Sequence, residues 1–195
     1  MSNDLVTIII PIWGDYYKFL PEALESARSQ TYPWVEVVVE ESKTDLPSSR
    51  NAAIKRARGT WILPLDADDK LDPQYVEKTI GKDDIVSTMH KDFNGVPCGV
   101  EKNFTLQDFK QANRIISGSL YKKEIWDKLG GYDENMKEGY EDWDFWLRAV
   151  RAGYHITLVE EPLYWYRQRE DSMVRETKKK DKEIREYVLK KLDET

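Results

Sequence analysis

Thr60-Trp61-Ile62-Leu63-Pro64-Leu65-Asp66-Ala67-Asp68-Asp69 runs from an apolar segment straight into three carboxylates. Trp61 to Leu65 has the composition of a buried strand, and the acids fall where that strand leaves its sheet. In open α/β sheets ligands bind at the carboxyl ends of strands. Carboxylates this close repel one another unless a cation or a set of donors offsets the charge. An Asp-x-Asp at a strand end therefore suits a hard divalent cation, Mn²⁺ or Mg²⁺, that completes its shell with phosphate oxygens. Acids after a strand also cap helices, and Asp72-Pro73 has the form of an N-cap followed by proline in the first turn. That cap leaves Asp66, Asp68 and Asp69 without a capping role.

Outward from this stretch the pattern repeats. Val6 to Pro11 is a strand apolar on both faces, as a central parallel strand is. A helix follows over Phe19 to Gln30, with Phe19, Leu20, Ala23, Leu24 and Ala27 at helical spacing. Val35 to Val39 is a second strand, ending in Glu40-Glu41, and Ser48 to Arg58 is a second helix. The resulting β-α-β-α-β predicts a mostly parallel, Rossmann-like α/β sheet with a nucleotide-sized site on its rim. Beyond it the sequence predicts a helix from Pro73 to about Ile80 and a strand at Asp84 to Met89. A turn-rich segment runs from His90 to Asn103, and Thr105 caps a short helix. Ser117-Gly118-Ser119 marks a tight turn near a ligand, and Lys123 to Leu129 is a helix closed by Gly130-Gly131. Glu141-Asp142 opens a helix whose buried stripe is Trp143, Trp146, Leu147 and Val150, with Asp144, Arg148 and Arg151 off that face. Ile156 to Val159 and Leu163 to Tyr166 are expected as two short strands, and Met173 to Leu192 as a charged helix.

The totals narrow the function classes. At 195 residues the chain is expected to form a single domain. Its nucleotide-binding half would be 1–89, its acceptor half 90–170, and its charged helix 171–195. A net charge of -6 argues against a nucleic-acid footprint. The single cysteine, Cys98, allows no internal disulfide, and no stretch has the length of a signal peptide's apolar region or of a membrane span. A cytoplasmic location is the expectation, with peripheral membrane contact through the lysine-rich tail as a minor reading. Glu141-Asp142 either supplies a general base or simply complements the helix dipole.

Several stretches in order resemble the family 2 glycosyltransferases of GT-A fold. They are Val6 to Pro11, Leu20 to Ala27 with Gln30-Thr31-Tyr32-Pro33, Val35 to Val39, Ser49-Arg50-Asn51, Ala57-Arg58-Gly59 and Leu65 to Asp69. They continue through Gly118-Ser119, Gly130-Gly131-Tyr132-Asp133-Glu134, Glu141 to Arg148 and Leu163 to Arg167. The resemblance covers most of residues 5–170. It implies an inverting transfer of sugar from a nucleotide sugar, with a UDP-sugar as the expected donor, to the hydroxyl of a glycan, lipid-linked or protein-linked acceptor, as in polysaccharide biosynthesis.

Carried over residue by residue, Asp68 would hold Mn²⁺ or Mg²⁺, and Asp66 the ribose or the metal with Ala67 between them. Glu40 or Glu41 would recognise the base, and Arg50 would lie near base or phosphates. Pro11, Ile12 and Trp13 would line the nucleotide pocket. Asp142 would be the base and Glu141 would orient the acceptor. Trp126, Tyr132, Trp143 and Trp146 would offer an acceptor a stacking surface, or simply form core. Where the family carries Asp-Asp-Gly-Ser, this chain reads Glu40-Glu41-Ser42-Lys43. Gln168 and Arg169 follow Arg167 where the family often has a histidine, so no histidine metal ligand is expected there. His90 and His155 fall outside the motifs. A non-catalytic nucleotide-sugar or glycan-binding module is the alternative reading.

Overall fold

The computed structural model describes residues 4–12, 14–41, 45–98, 104–169, 177 and 179–194. Strand β1 (Val6–Ile12) is buried along its whole length. It pairs in parallel with β2 (Val35–Glu41) on one side and β3 (Trp61–Pro64) on the other, with Ile8 opposite both Val37 and Leu63. Alternation along β1 sends Ile8 and Ile10 to one face and Ile9 to the other, each into its own apolar cluster. Helix α1 (Leu20–Arg28) covers the first face, burying Ala23 and Ala27. Helix α2 (Leu46–Arg56) covers the second. It starts two residues ahead of Ser48, because Asp45 accepts the Ser48 N–H and Pro47 fits the first turn.

The second half of the chain extends the same sheet. Its elements are β4 (Lys70–Leu71), α3 (Tyr75–Thr79), β5 (Ile85–Asp92), β6 (Pro97–Cys98), α4 (Leu106–Gln111), β7 (Leu120–Lys122), α5 (Lys123–Leu129), α6 (Glu141–Arg151), β8 (Ile156–Tyr166) and α7 (Asp181–Glu194). The order is β2-β1-β3-β7-β5-β8-β4, with β6 added to β5. Strand β7 runs antiparallel to β3 and to β5, so β1, β3 and β5 point the same way, as does β8, which is parallel to β5. The ends of β1, β3, β5 and β8 therefore share one rim.

Three local expectations are corrected. Asp72 is not an N-cap: its carboxylate accepts the Gln74 N–H in a turn, and α3 begins at Tyr75. The two short strands expected at 156–166 are one strand, because Glu160-Glu161 is absorbed as an irregularity in the register between Val159 and Pro162. Asp144 is buried, although it lies off the Trp143-Trp146-Leu147 stripe. Arg148 and Lys191 of α7 cover that side of α6 and pair with it. The tail helix is described from Asp181, so the expected start at Met173 lies outside the described residues. Ile184, Val188 and Leu192 of α7 complete the cluster that holds Trp143, Phe145 and Trp146.

Candidate active site

A cleft of ≈330 Å³ opens on the rim where β1 and β3 end, and its walls carry both acid clusters. Asp66, Ala67 and Asp68 come from the turn after β3, Pro11 from the end of β1, Arg50 from α2, and Glu141 and Asp142 from the first turn of α6. The two acid clusters, 74 residues apart at Asp68 and Asp142, thus share one chamber.

Each carboxylate of the β3 turn has a different fate. Asp69 faces inward: the Tyr164 hydroxyl donates to it at 2.9 Å and the Arg167 backbone N–H at 2.8 Å. Asp66 accepts from Arg50 at 2.7 Å and from the Ser117 hydroxyl at 3.3 Å. Asp68 lies 3.4 Å from the Arg169 guanidinium. Burial, together with the negative charge of Asp66, pushes the Asp68 carboxyl up, and Arg169 pulls it only partly back. Two carboxylates this close, with Asp66 raising the proton affinity of Asp68, form a donor set that a hard divalent cation fits, since its charge relieves the same repulsion.

The α6 acids divide in the same way. Tyr140 precedes them in the left-handed conformation (φ 61°), an uncommon state for a non-glycine residue, and its hydroxyl is anchored to Asp181 at 2.7 Å. Glu141 then points into the protein, where it is 4% exposed and accepts from Arg50 at 2.5 Å. Burial pushes the Glu141 carboxyl up to about 7, against the pull of Arg50 and with repulsion from Asp142. Asp142 is half-buried and lines the cleft. The Trp143 N–H holds one of its oxygens at 2.8 Å and the Asn113 amide the other at 2.9 Å. Burial raises the Asp142 carboxyl, opposed by Arg50. Arg50, 1% exposed, is the shared counter-charge of Asp66 and Glu141.

Its neighbour Asn51 fixes the other wall. Asn51 Oδ1 accepts from the Tyr132 N–H and the Trp126 indole, both at 2.9 Å, and its amide donates to the Tyr132 carbonyl at 2.9 Å. The Gly130-Gly131-Tyr132 turn is thereby tied to α2.

Other expected positions lie elsewhere. Ile12 is buried in the core under α1. Glu40 is ion-paired with Arg56, Glu41 is exposed at the end of β2, and neither lines the cleft. Trp13 lies outside the described residues. Tyr132, Trp143 and Trp146 are core side chains, and Trp126 is half-buried against them rather than in the cleft. Asn113 and Tyr16 line the cleft although no motif marks them, and Tyr166, within the Leu163 to Arg167 stretch, lines it without having been given a role. His90 lines it too, with Nδ1 lacking a partner among the described residues, and burial holds its imidazole below the ordinary range. Asp83, Asp84 and His155 also cluster, but at the opposite edge of the sheet, where β5 and β8 begin, and Asp84 is already paired with Lys122 at 2.7 Å.

Residues 35–85 match the family model described as Glycosyl transferase family 2. The chain is 29% identical over 140 residues to the uncharacterized glycosyltransferase YwdF of Bacillus subtilis, covering 64% of this chain and 51% of that one. It is 27% identical over 213 residues to the uncharacterized glycosyltransferase MJ1057 of Methanocaldococcus jannaschii, covering 86% and 72%. Among solved structures, S. aureus TarS 1-349 in complex with UDP-GlcNAc superposes with a TM-score of 0.66 at 19% identity, covering 87% of this chain and 60% of that one. The mannosyltransferase PcManGT of Pyrobaculum calidifontis, in complex with GDP-Man and Mn²⁺, gives 0.64 at 17% identity, covering 87% and 59%. This chain therefore spans about half the length of YwdF and three-fifths of TarS 1-349. The chain is thus similar to the family 2 glycosyltransferases, matching their family model over residues 35–85, and it has the GT-A type fold of these solved structures.

Proposed function

We propose that this chain transfers a sugar from a nucleotide-sugar donor, a UDP-sugar in the first instance, to an acceptor hydroxyl with inversion, and that Asp142 is the general base. The observation that carries the reading is the single cleft in which Asp66 and Asp68 meet Asp142. TarS binds UDP-GlcNAc and PcManGT binds GDP-Man with Mn²⁺, which supports a nucleotide-sugar donor here.

In one displacement, the acceptor oxygen attacks the anomeric carbon, its proton passes to a carboxylate oxygen of Asp142, and the bond to the diphosphate oxygen breaks. Attack from the face opposite the leaving group inverts that carbon, as in inverting glycoside chemistry. Asp142 suits the role because Asn113 and the Trp143 N–H fix its plane, while burial raises its affinity for the proton it must take. Glu141, held by Arg50, positions the first turn of α6 and contributes a charge rather than an exposed base. Asp66 and Asp68 would hold Mn²⁺ or Mg²⁺, which when bound supplies positive charge to the departing diphosphate. Pro11 and Tyr16 form the donor wall. The acceptor, a glycan or a lipid- or protein-linked hydroxyl, enters from the Asn113 and Tyr140 side.

The test is Asp142→Asn assayed against UDP- and GDP-sugars. Transfer should fall about 10²–10⁴-fold, with nucleotide binding by calorimetry unchanged. Equal turnover by the variant and the wild type would remove Asp142 as the base. Nucleotide binding without turnover by either would favour the binding-module reading.

A further inference from the structure

On the reading of Asp142 as the base, we propose that Asp181, the first residue of α7, is a positioning residue for it. By accepting from the Tyr140 hydroxyl, Asp181 holds the 138–140 turn from which the first turn of α6 is aimed.

Tyr140 is the one non-glycine residue with a positive φ among the described residues, at 61°. That conformation crowds Cβ against the backbone, and an L-residue keeps it only where its surroundings over-determine it. No side chain caps α6. Its first turn hangs on the Tyr140 carbonyl, which accepts the Asp144 N–H at 3.0 Å. Asp142 lies two residues on, so the Tyr140 backbone sets where its carboxylate meets the cleft.

The groups that hold the turn come from the end of the chain. Tyr140 donates to Asp181 at 2.7 Å, and its ring stands perpendicular to that of Trp143, with centroids 5.7 Å apart. Burial and the Asp181 carboxylate push the hydroxyl up to about 12, so it keeps the proton it donates. Gly139, at φ 114°, passes so close to Thr177 that a Cβ would lie 2.4 Å from its hydroxyl oxygen. Thr177 donates to the Glu138 carbonyl at 2.6 Å, and Lys180 pairs with the Glu138 carboxylate. Three consecutive residues are thus each met by Thr177, Lys180 or Asp181, and Thr177 and Gly139 both line the cleft.

Helix α7 also reaches the other support of Asp142. Arg185, 4.0 Å from Asp181, donates to the Gln111 carbonyl, two residues before the Asn113 whose amide holds the Asp142 carboxylate. A group that takes a proton during a displacement must be closely aimed, and a misplacement of about 1 Å can cost about 100-fold. Without Asp181 the Tyr140 hydroxyl turns to water, and Tyr140 can relax toward the right-handed region. That relaxation rotates the start of α6 and carries Asp142 with it. Asp66 and Asp68 stand on the turn after β3, outside this clamp. Asp181 itself is 45% exposed, so its truncation opens no cavity.

The experiment compares wild type, Asp181→Ala, Asp181→Asn and Tyr187→Phe at a temperature where all four are folded. Asp181→Asn keeps an oxygen for the Tyr140 hydroxyl. Tyr187→Phe loosens α7 elsewhere, at Asp133, to which Tyr187 donates at 2.9 Å. The readouts are amide exchange at Asp144, whose N–H the Tyr140 carbonyl holds, and kcat and KM with UDP- and GDP-sugars. Asp181→Ala should exchange the Asp144 N–H about tenfold faster. It should lose about 10–100-fold in kcat with donor KM unchanged. Asp181→Asn and Tyr187→Phe should do neither. Unchanged kcat in Asp181→Ala overturns the proposal, as does an equal loss in Asp181→Asn or Tyr187→Phe, since neither of those removes the acceptor of the Tyr140 hydroxyl. Failure of the base reading has its own signature: Asp142→Asn would turn over like the wild type. The link to the reaction would then fall, while exchange at Asp144 still decides whether Asp181 holds the turn.

Discussion

Arg50 carries more of the site than any other single side chain. It is buried, its two terminal nitrogens bridge Asp66 and Glu141, and its charge lowers the proton affinity of Asp142. Removing one partner of a buried pair strands the other charge, at a typical cost of about 3–5 kcal/mol. Arg50→Met should therefore lower the unfolding free energy by roughly that amount in denaturant titrations at neutral pH. Adding Glu141→Gln should recover part of the loss. The sign of the pH effect is also fixed. The proposed base, Asp142, must be ionised to accept a proton, and burial already raises it, so kcat/KM should fall as pH drops through a limb above the ordinary aspartate range. Loss of the Arg50 cation raises that carboxyl further, so any residual activity should show the limb displaced to higher pH. A pH–rate profile with an unmoved limb would separate Arg50 from the base. The sequence placed Arg50 near the donor by resemblance, but its partner Glu141 is 91 residues away and no spacing rule links them. The burial of Asp144 escaped for a related reason: a helical wheel knows only its own helix, and Lys191 on another joins Arg148 in covering Asp144.

At the scale of elements, periodicity did its work where strands were buried on both faces and helices had one apolar stripe. The doubly apolar run of β1, the start of α6 and the Thr105 cap of α4 were legible from local chemistry, and Asp108 completes that cap as a capping box. β8 was not, because a proline after two acids has the local signature of a break, and only the pairing with β5 absorbs it. Gly118 shows how tightly these elements meet. A Cβ there would sit 2.2 Å from the Tyr164 ring, and Tyr75 donates to the Gly118 carbonyl at 2.6 Å. Gly118→Ala must push Tyr164 away, and with it the hydroxyl that fixes Asp69 in the turn after β3. The variant should melt several degrees lower, by about the 1–3 kcal/mol of an overpacked core, and should bind nucleotide more weakly by calorimetry. The loss of binding should exceed that in Gly81→Ala, where the space is open despite the positive φ.

Across the whole molecule, α7 is docked by charge as well as by apolar contact. Burial pushes the Asp133 carboxyl up, but Lys191 at 2.7 Å, the Asn135 N–H and the Tyr187 hydroxyl outweigh it and hold the group at about 2. A carboxylate depressed in the folded state stabilises that state above its unfolded pKa and loses the contribution as pH falls through the folded one. Attachment of α7 should accordingly weaken between about pH 4 and about pH 2. Amide exchange should rise along 181–192 ahead of the β1–β3 strands, and Lys191→Met should move that onset to higher pH. Simultaneous exchange across the molecule would show that α7 has no separate opening. No helix among the described residues is long and apolar enough to cross a membrane.

The seating of Ile184, Val188 and Leu192 against the Trp143–Trp146 face also has a bearing on how the protein is made. Those three side chains are translated after everything else in that cluster. A nascent chain can complete the β1–β3 pairing under α1 early, yet its larger apolar face stays open until residue 192 clears the ribosome. During that interval the exposed tryptophan-rich surface is what a chaperone would meet, and a stop codon before residue 181 would make that exposure permanent.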